Sequence, residues 1–280
     1  MRRLAVIQSF RSTNVPGWIE HCLASVKAWA KSAGHDYRLF GDEAFEFCGA
    51  DYLAQVGSNM RSITNLARLE LVKHAHSHGY DWAVWIDADI LVFDPVRFDL
   101  STVQRYAFAR ETWLEPYHDA AQWRAFSAVN NSVFACRAGE PDLNFLIGAT
   151  RHIAAHRKVE TNYQVGGHLI KGLRLPLGFE TLGNVGMFSN FATLALARGV
   201  DALLKLQARY HGTPVYAANL CASENYSPPV SEAEAEAAIR VLETTRGGVI
   251  NEWLGDEQAL PEGNEILFAA PELKRQLGIA

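Results

Sequence analysis

The chain has 280 residues and a mass of 31.0 kDa, which is enough to bury the core of one large α/β domain. Its formal net charge of −5 argues against a protein that binds nucleic acid regardless of sequence, because such proteins carry a basic surface. No apolar stretch approaches the roughly 20 residues that a membrane-spanning helix needs, so membrane contact is expected to be peripheral at most. The four cysteines are widely scattered, which favours a reducing, cytoplasmic location.

The N-terminal 40 residues predict a strand, a helix and a second strand. An apolar run over residues 4–10 predicts the first strand. A helical pattern then begins near Pro16 and stops at Gly34, and residues 37–40 predict the second strand. Because a βαβ unit joins parallel strands, this beginning predicts a mostly parallel sheet flanked by helices.

The next helix leads into the most apolar strand of the chain. Residues 62–78 carry apolar side chains at helical spacing and end before Gly79. An apolar run then extends from Trp82 to Ile86 and meets a carboxylate at Asp87. We therefore expect a buried strand that ends in a polar site.

The second half of the chain predicts elements with less regular spacing. We expect a strand over residues 128–136, a helix over 194–210 and a strand over 215–221. The glycine-rich stretch 166–186 is expected to be loop and short strand.

The C-terminal region predicts a small appendage. Ser231 and Glu234 have the spacing of a capping box, in which each side chain bonds the backbone of the other residue, so a helix is expected to begin there. We expect a main α/β domain over residues 1–224 and a helical appendage over 225–280 that packs on the same domain.

Two carboxylates, Asp87 and Asp89, end the apolar strand. Residues i and i+2 of a strand point to the same side, so both would lie at the carboxyl end of the strand, where parallel sheets bind ligands. Close carboxylates repel unless a positive group joins them, and hard oxygen ligands favour Mg²⁺ or Mn²⁺. Such an ion would neutralise a diphosphate as it leaves. The pair predicts a divalent-cation site that faces a phosphate-bearing ligand; the alternative is a strand end in solvent.

Three stretches resemble the GT-A glycosyltransferases of the glycogenin and lipopolysaccharide-galactosyltransferase type. The first is residues 6–42, and the second combines Arg68 with the strand that ends in Asp87-Ala88-Asp89. The third, Val129-Asn130-Asn131-Ser132-Val133, is similar to the family's Asn-x-Gly-Val strand. Together they cover roughly the first half of the chain.

The resemblance implies a Rossmann-like GT-A domain that binds a nucleotide sugar. The implied activity is that of a hexosyltransferase, retaining the anomeric configuration, which moves a sugar from a UDP-sugar or similar donor to a carbohydrate hydroxyl with Mn²⁺ or Mg²⁺. By resemblance, Asp87 would contact both donor ribose and metal, Asp89 would bind the metal, and Asn130 would join them as a catalytic residue. The resemblance also implies a role in surface polysaccharide assembly.

Two positions depart from the family pattern. Ser132 stands where the family has glycine, so the close backbone approach that glycine permits is in doubt. The family's third metal ligand is a histidine in a His-x-x-Gly-x-x-Lys-Pro-Trp context, whereas this chain offers Tyr210-His211-Gly212-Thr213-Pro214. His211 is the candidate third ligand, and the alternative is a polar residue at a helix-ending turn.

Further side chains are candidates for donor binding. Arg68 shares a helix side with apolar residues, so its guanidinium needs a partner, which is Asp87, a donor phosphate or another acid. Ser9, Phe10 and Arg11 follow the first strand, where a doubly wound sheet receives a nucleotide. Phe10 would stack on a base or pack in the core.

Amides and aromatic residues are candidates for sugar binding. Asn130 and Asn131 can both donate to and accept from sugar hydroxyls, and the alternative for each is local turn bonding. Trp113, Tyr117 and Trp123 stand among acidic residues, a combination that suits a carbohydrate acceptor or a packed surface loop.

Two other functions fit parts of the same pattern. A haloacid-dehalogenase-like phosphatase also ends an apolar strand in Asp-x-Asp, but its motif normally opens the fold and is followed by Thr or Val where this chain has Leu91. A non-catalytic sugar-binding protein on the same fold is the other alternative, for which Ser132 and the incomplete histidine motif leave room.

Overall fold

The predicted βαβ beginning is present in the fold. The computed structural model describes residues 3–156, 164–222, 226–255 and 259–279. Strand β1 spans Leu4–Ser9, helix α1 spans Gly17–Ser32 and strand β2 spans Asp36–Phe40, and β1 pairs with β2 in parallel. Pro16 precedes the first helical residue and adopts an extended conformation, which favours a helix start.

The remaining elements follow in chain order. A 3₁₀ helix over Asp42–Cys48 precedes the other helices. These are α2 (Ala50–Val56), α3 (Met60–Ser77), α4 (Pro141–His156), α5 (Gly167–Leu177), α6 (Asn190–Arg198), α7 (Asp201–His211), α8 (Glu232–Thr245), α9 (Gly248–Asn251) and α10 (Glu272–Leu277). The strands are β3 (Trp82–Ile86), β4 (Ile90–Val92), β5 (Tyr106–Tyr117), β6 (Asp119–Arg137), β7 (Glu180–Leu182), β8 (Val185–Met187), β9 (Ala217–Asn219) and β10 (Glu265–Ala269).

A mostly parallel sheet forms the centre, as predicted. In the described residues its strand order is β2-β1-β3-β6-β5-β7, with β10 also paired to β6. Strand β6 runs antiparallel to β3, β5 and β10, whereas the pairs β1 with β2, β1 with β3, and β5 with β7 are parallel. All strands of this sheet except β6 therefore point in one direction.

Burial on both faces explains why β3 is apolar throughout. Ala83 and Trp85 face the cluster that contains buried residues of α3, while Val84 and Ile86 face the cluster that contains Trp29 of α1. A strand covered on both sides reads as a continuous apolar run. Asp87 and Asp89 are the first polar positions after this apolar run.

A second, three-stranded sheet lies beyond the end of β3. Its order is β4-β9-β8, and Ile90 of β4 pairs with Asn219 of β9. This pairing brings the chain near residue 219 alongside the carboxylate pair.

The helix predictions for the second half were partly wrong. The stretch 166–186 contains α5, because Ile170, Leu173 and Leu177 place an apolar stripe against the core despite the glycines and Pro176. The helix predicted over 194–210 is two helices, α6 and α7. Gly199 separates them with a φ of 68°, a left-handed conformation that ends a helix.

The C-terminal segment packs on the main sheet and on α6. Ser231 and Glu234 form the expected capping box at the start of α8. The segment also supplies a strand, β10, which pairs with β6 from Glu265 to Ala269 and was not predicted. The proposed boundary between residues 224 and 225 lies outside the described residues, so the domain division stays a prediction.

Among the helices of the described residues, none is both long enough and apolar enough to cross a bilayer.

Candidate active site

A cleft of about 920 Å³ lies at the carboxyl ends of β1 and β3. Asp87 and Asp89 enter it after β3, Ser9 enters it at the end of β1, and Phe10 and Arg11 enter it directly after β1. Arg68 lines it from α3. Six side chains selected from the sequence therefore share one cleft, at the edge where parallel sheets bind ligands.

Asp87 is held by two side-chain donors. The indole Nε1 of Trp85 donates to Asp87 Oδ1 at 2.6 Å, and Arg68 Nη2 donates to Asp87 Oδ2 at 3.0 Å. Trp85 reaches it because residues two apart on an extended chain share a side. The side chains of Arg68 and Asp87 are 18% and 17% exposed, so the ion pair is largely shielded from water but still reachable from the cleft.

A chain of amides supports this ion pair from β6. Asn131 Nδ2 donates to Asn65 Oδ1 at 2.6 Å, and Arg68 Nη1 donates to the same oxygen at 3.4 Å. The guanidinium also lies 5.8 Å from the centroid of the Trp85 ring. Asn131 is outside the cleft lining and acts on Asp87 through Asn65 and Arg68.

Asp89 is held from the second sheet. Asn219 Nδ2 donates to Asp89 Oδ1 at 2.7 Å, and the backbone N–H of Leu220 donates to the Asp89 carbonyl at 3.3 Å. The pairing of Ile90 with Asn219 places this amide beside the carboxylate. The two carboxylates are thus fixed from different elements.

Burial penalises the charged form of both carboxylates, and at Asp89 the charge of Asp87 adds to that penalty. Burial raises the pKa of Asp87, while Arg68 and the Trp85 indole act in the opposite direction. Burial, followed by the charge of Asp87, raises the pKa of Asp89 to about 7. A positive ligand between the two carboxylates would relieve both penalties.

The donor set fits a hard divalent cation with few protein ligands. Carboxylate oxygens are the ligands that Mg²⁺ and Mn²⁺ prefer. The described residues contain no group of three or more His, Cys, Asp or Glu side chains arranged to hold a metal ion. Asp87 and Asp89 would therefore share such an ion with ligand phosphate and water.

His211 is not brought to the carboxylate pair, which corrects the expectation of a third protein ligand. Its side chain is only 2% exposed, at the end of α7. Nε2 bonds the Gly183 carbonyl at 2.7 Å and Nδ1 bonds Thr112 Oγ1 at 3.0 Å. Both ring nitrogens are thus occupied. Burial lowers the pKa of His211 to about 4, so the ring is neutral at pH 7.

Asn130 is also placed away from the cleft lining. Its Oδ1 accepts from the Ser132 backbone N–H at 2.7 Å, and its Nδ2 lies 3.4 Å from Glu111 Oε2. The first of these bonds is the local turn bonding that was the alternative for Asn130. The Ser132 carbonyl in turn accepts from the Asp87 backbone N–H at 2.7 Å. Asn130 therefore lies in a supporting position near the site, and its catalytic role stays a prediction.

The last residue of β1, Ser9, and the two residues after it form one wall of the cleft. The Phe10 backbone N–H donates to the Phe40 carbonyl at 3.0 Å, which extends the β1–β2 pairing. Arg11 Nη2 donates to the Asn14 carbonyl at 2.8 Å, and its guanidinium lies 5.4 Å from the Phe10 ring centroid. Ser9 Oγ lies 3.4 Å from the Gly41 carbonyl. This wall presents an aromatic ring and an exposed cation to the cleft.

Three supporting side chains were not selected from the sequence. Trp85 lies two residues before Asp87 on the same strand, and Asn65 lies three residues before Arg68 on the same helix, so both spacings were readable. Asn219 carried no such signal, because its contact with Asp89 depends on the pairing of β4 with β9.

Comparisons with known proteins add little to this geometry. No protein-family model matches the chain, and no curated protein is similar to it. One similar solved structure is the crystal structure of a glycosyltransferase involved in the glycosylation of the major capsid of PBCV-1. It aligns with a TM-score of 0.49 and 10% identity, over 84% of this chain and 98% of that chain. A likeness of this strength carries no functional conclusion.

Proposed function

We propose that the protein is a glycosyltransferase that uses a nucleoside diphosphate sugar as donor and an acceptor hydroxyl as nucleophile. One observation carries the proposal: Asp87 and Asp89 share a cleft of about 920 Å³ with Arg68 and with the residues that follow β1. The volume lies in the range of small-molecule sites. The cleft lies where open α/β sheets bind nucleotides.

The reaction exchanges one bond at the anomeric carbon for another. The acceptor oxygen bonds to that carbon, the bond from the carbon to the diphosphate oxygen breaks, and the diphosphate leaves with the electron pair. For a retaining enzyme, which the sequence resemblance favours, both events occur on one face of the sugar, and the leaving diphosphate takes the hydroxyl proton. The main requirement on the protein is to stabilise the charge of the leaving group.

The side chains of the cleft divide this work. Phe10 and Arg11 present an aromatic face and a cation for the nucleoside end of the donor. Arg68 holds Asp87 in place through the 3.0 Å hydrogen bond and brings positive charge to the cleft. When bound by Asp87 and Asp89, Mn²⁺ or Mg²⁺ would neutralise the diphosphate.

A phosphatase is less well supported by the same geometry. Its first aspartate would have to attack phosphorus, but both oxygens of Asp87 already accept hydrogen bonds, from Trp85 and Arg68. Those bonds favour a fixed ligand over a nucleophile. A UDP-sugar donor and a role in surface polysaccharide assembly remain part of the proposal on resemblance alone.

A thermal-shift panel tests the proposal. UDP, GDP, ADP, CDP and dTDP are each added with Mn²⁺ or with EDTA. We expect at least one to raise the melting temperature by about 5 °C with Mn²⁺, at a ligand concentration near 100 times the dissociation constant, and to lose the effect in EDTA. The proposal is wrong if no nucleotide shifts the melting temperature.

A matched pair of variants assigns the effect to the cleft. Asp89→Asn removes one carboxylate that lines the cleft, whereas Asp51→Asn removes an exposed one in the first turn of α2. The Mn²⁺-dependent shift is expected to disappear in Asp89→Asn and to persist in Asp51→Asn.

A further inference from the structure

One face of the β5–β6 hairpin is half-buried, whereas the opposite face is fully buried. Residues directly opposite on antiparallel strands share a face, so Trp113 lies beside Phe126 and Glu115 beside Arg124. On the other face, Leu114 and Ala125 are fully buried. The half-buried face is therefore a platform built on the central sheet.

Three aromatic rings lie on this platform. The rings of Trp113 and Tyr226 have centroids 6.1 Å apart, and Tyr226 is 36% exposed. The Phe126 ring lies 5.3 Å from Lys171 Nζ and 5.3 Å from the guanidinium of Arg124. We call Trp113, Phe126 and Tyr226 the aromatic face. Trp123, selected from the sequence with Trp113, is not part of it, because its side chain is fully buried against Phe191.

The charges around the aromatic face are paired. Arg124 forms an ion pair with Glu115, and Lys171 Nζ lies 3.8 Å from Glu111 Oε2. The Trp113 indole Nε1 donates to Glu115 Oε2 at 2.9 Å, which fixes the plane of the ring. Because each cation already has a carboxylate, the surface suits an uncharged ligand rich in hydroxyl groups better than a phosphate.

The platform also has a groove beside it. A cleft of about 430 Å³ is lined by Arg124, Phe126 and Lys171, together with Glu262 and Glu265. Glu115 and Lys171 are 28% and 30% exposed at their side chains, so both can reach a ligand in contact with the rings.

The aromatic face connects with the carboxylate pair through three side chains. Asn219 binds Asp89 at 2.7 Å, and its own Oδ1 lies 3.0 Å from Cys221 Sγ. The Tyr226 side chain hydrogen-bonds the Cys221 thiol, and its ring then meets Trp113. The platform therefore begins close to the point where a donor sugar held at Asp89 would end.

We propose that the aromatic face binds the acceptor: an uncharged saccharide whose ring stacks on Trp113 and whose hydroxyls meet Glu115 and Lys171. This inference rests on the proposed transfer function, because it assigns the second substrate of the same site. Aromatic rings suit the apolar faces of sugars, and the paired carboxylate accepts hydroxyl hydrogens.

An oligosaccharide array tests the assignment. The array carries uncharged mono- to tetrasaccharides of glucose, galactose, mannose, rhamnose and N-acetylglucosamine, with heparin and polysialic acid fragments as anionic probes. We expect the labelled wild-type protein to bind at least one uncharged saccharide, and Trp113→Ala to bind it at least tenfold more weakly. Tyr226→Ala is the second variant, with a smaller loss, should Trp113→Ala fail to fold by circular dichroism.

Trp253→Ala is the matched control. Trp253 is exposed, at 42%, and its ring lies 3.9 Å from Lys205 Nζ in a groove beside α7. Its removal should leave saccharide binding unchanged. The inference is overturned if the wild type binds no uncharged saccharide, if it binds only the anionic probes, or if Trp113→Ala and Tyr226→Ala bind as the wild type does.

The thermal-shift panel and the oligosaccharide array, both run on the wild-type protein, distinguish a failure of this inference from a failure of the proposed function. If nucleotides raise the melting temperature with Mn²⁺ but no saccharide binds, the acceptor assignment is wrong and the donor cleft is still supported. If neither effect is seen, the proposed transferase function is wrong as well.

Discussion

The end of β3 and the end of α7 both present polar residues that the sequence selects as metal ligands, but the structure treats them differently. Asp89 lines an open cleft of about 920 Å³ and lies beside a second carboxylate. His211 is 2% exposed, and both of its ring nitrogens are already bonded within the protein. The chemical type of a residue is thus a weaker guide to its role than what already binds it.

The two ends also differ in their electrostatics. At Asp89, burial and the neighbouring Asp87 both oppose the negative charge, so an incoming cation would be stabilising. At His211, burial keeps the ring neutral, and the hydrogen bonds to Gly183 and Thr112 suit a neutral ring. The negative charge at Asp89 is therefore unfavourable until a cation binds, whereas the hydrogen bonds of His211 are satisfied without a ligand.

The largest expected effect is on nucleotide binding in Asp89→Asn. Loss of the carboxylate should weaken Mn²⁺-dependent nucleoside diphosphate binding about 100-fold, or about 2.7 kcal/mol, in isothermal titration. The metal-free protein should be at least as stable as the wild type, because a buried charge beside Asp87 is removed while Asn219 keeps an acceptor. Unchanged nucleotide binding in Asp89→Asn would show that Asp89 does not hold the metal ion.

His211→Ala should have the opposite effects on stability and on nucleotide binding. The variant leaves Thr112 Oγ1 and the Gly183 carbonyl without this partner and opens a cavity, so we expect about 3 kcal/mol less stability in urea unfolding. Mn²⁺-dependent nucleotide binding should be unchanged. A tenfold loss of metal affinity with unchanged stability would show instead that His211 is a metal ligand.

The stability of the protein should fall between pH 6.5 and 4 partly because of His211. The unfolded ring takes a proton below pH 6.5, whereas the folded ring, buried near Arg110, does so only near a pKa of about 4. Its contribution is thus fully present above pH 6.5 and is lost as the pH falls, by at most about 3 kcal/mol. Urea unfolding at several pH values should show a shallower loss in His211→Gln than in the wild type.

The smallest effect is expected in Asn131→Ala. Asn131 acts on Asp87 only through Asn65 and Arg68, so its removal should weaken nucleotide binding about fivefold, near 1 kcal/mol. Thr245→Ala is a control that removes an exposed helix hydroxyl bonded to the Val241 carbonyl. Equal effects in both variants would argue against the amide chain.

The sequence predicted β1, α1, β2, α3 and β3 because their patterns are local, whereas the 3₁₀ helix, α2, β4 and β5 of the same half were not predicted. The alternation of apolar residues placed β1, α1, β2, α3 and β3 within two residues of their observed ends. The second half was harder because α5 carries glycines and Pro176, and because β10 is an edge strand whose pairing with β6 depends on distant contacts.

The same distinction holds for the candidate site. Asp87, Asp89 and Arg68 could be selected because one strand and one helix set their directions. Asn219 could not, because its position beside Asp89 depends on how two short strands pair across 130 residues of chain. His211 was misplaced because sequence spacing does not show which hydrogen bonds a side chain already makes.

Anomalous diffraction from crystals soaked with Mn²⁺ and UDP tests the central comparison most directly. We expect a manganese peak within about 2.2 Å of a carboxylate oxygen of Asp87 or Asp89, with the remaining ligands supplied by the diphosphate and water, and no peak at His211. A peak at His211, or none at the carboxylate pair when UDP is bound in the cleft, would contradict the account.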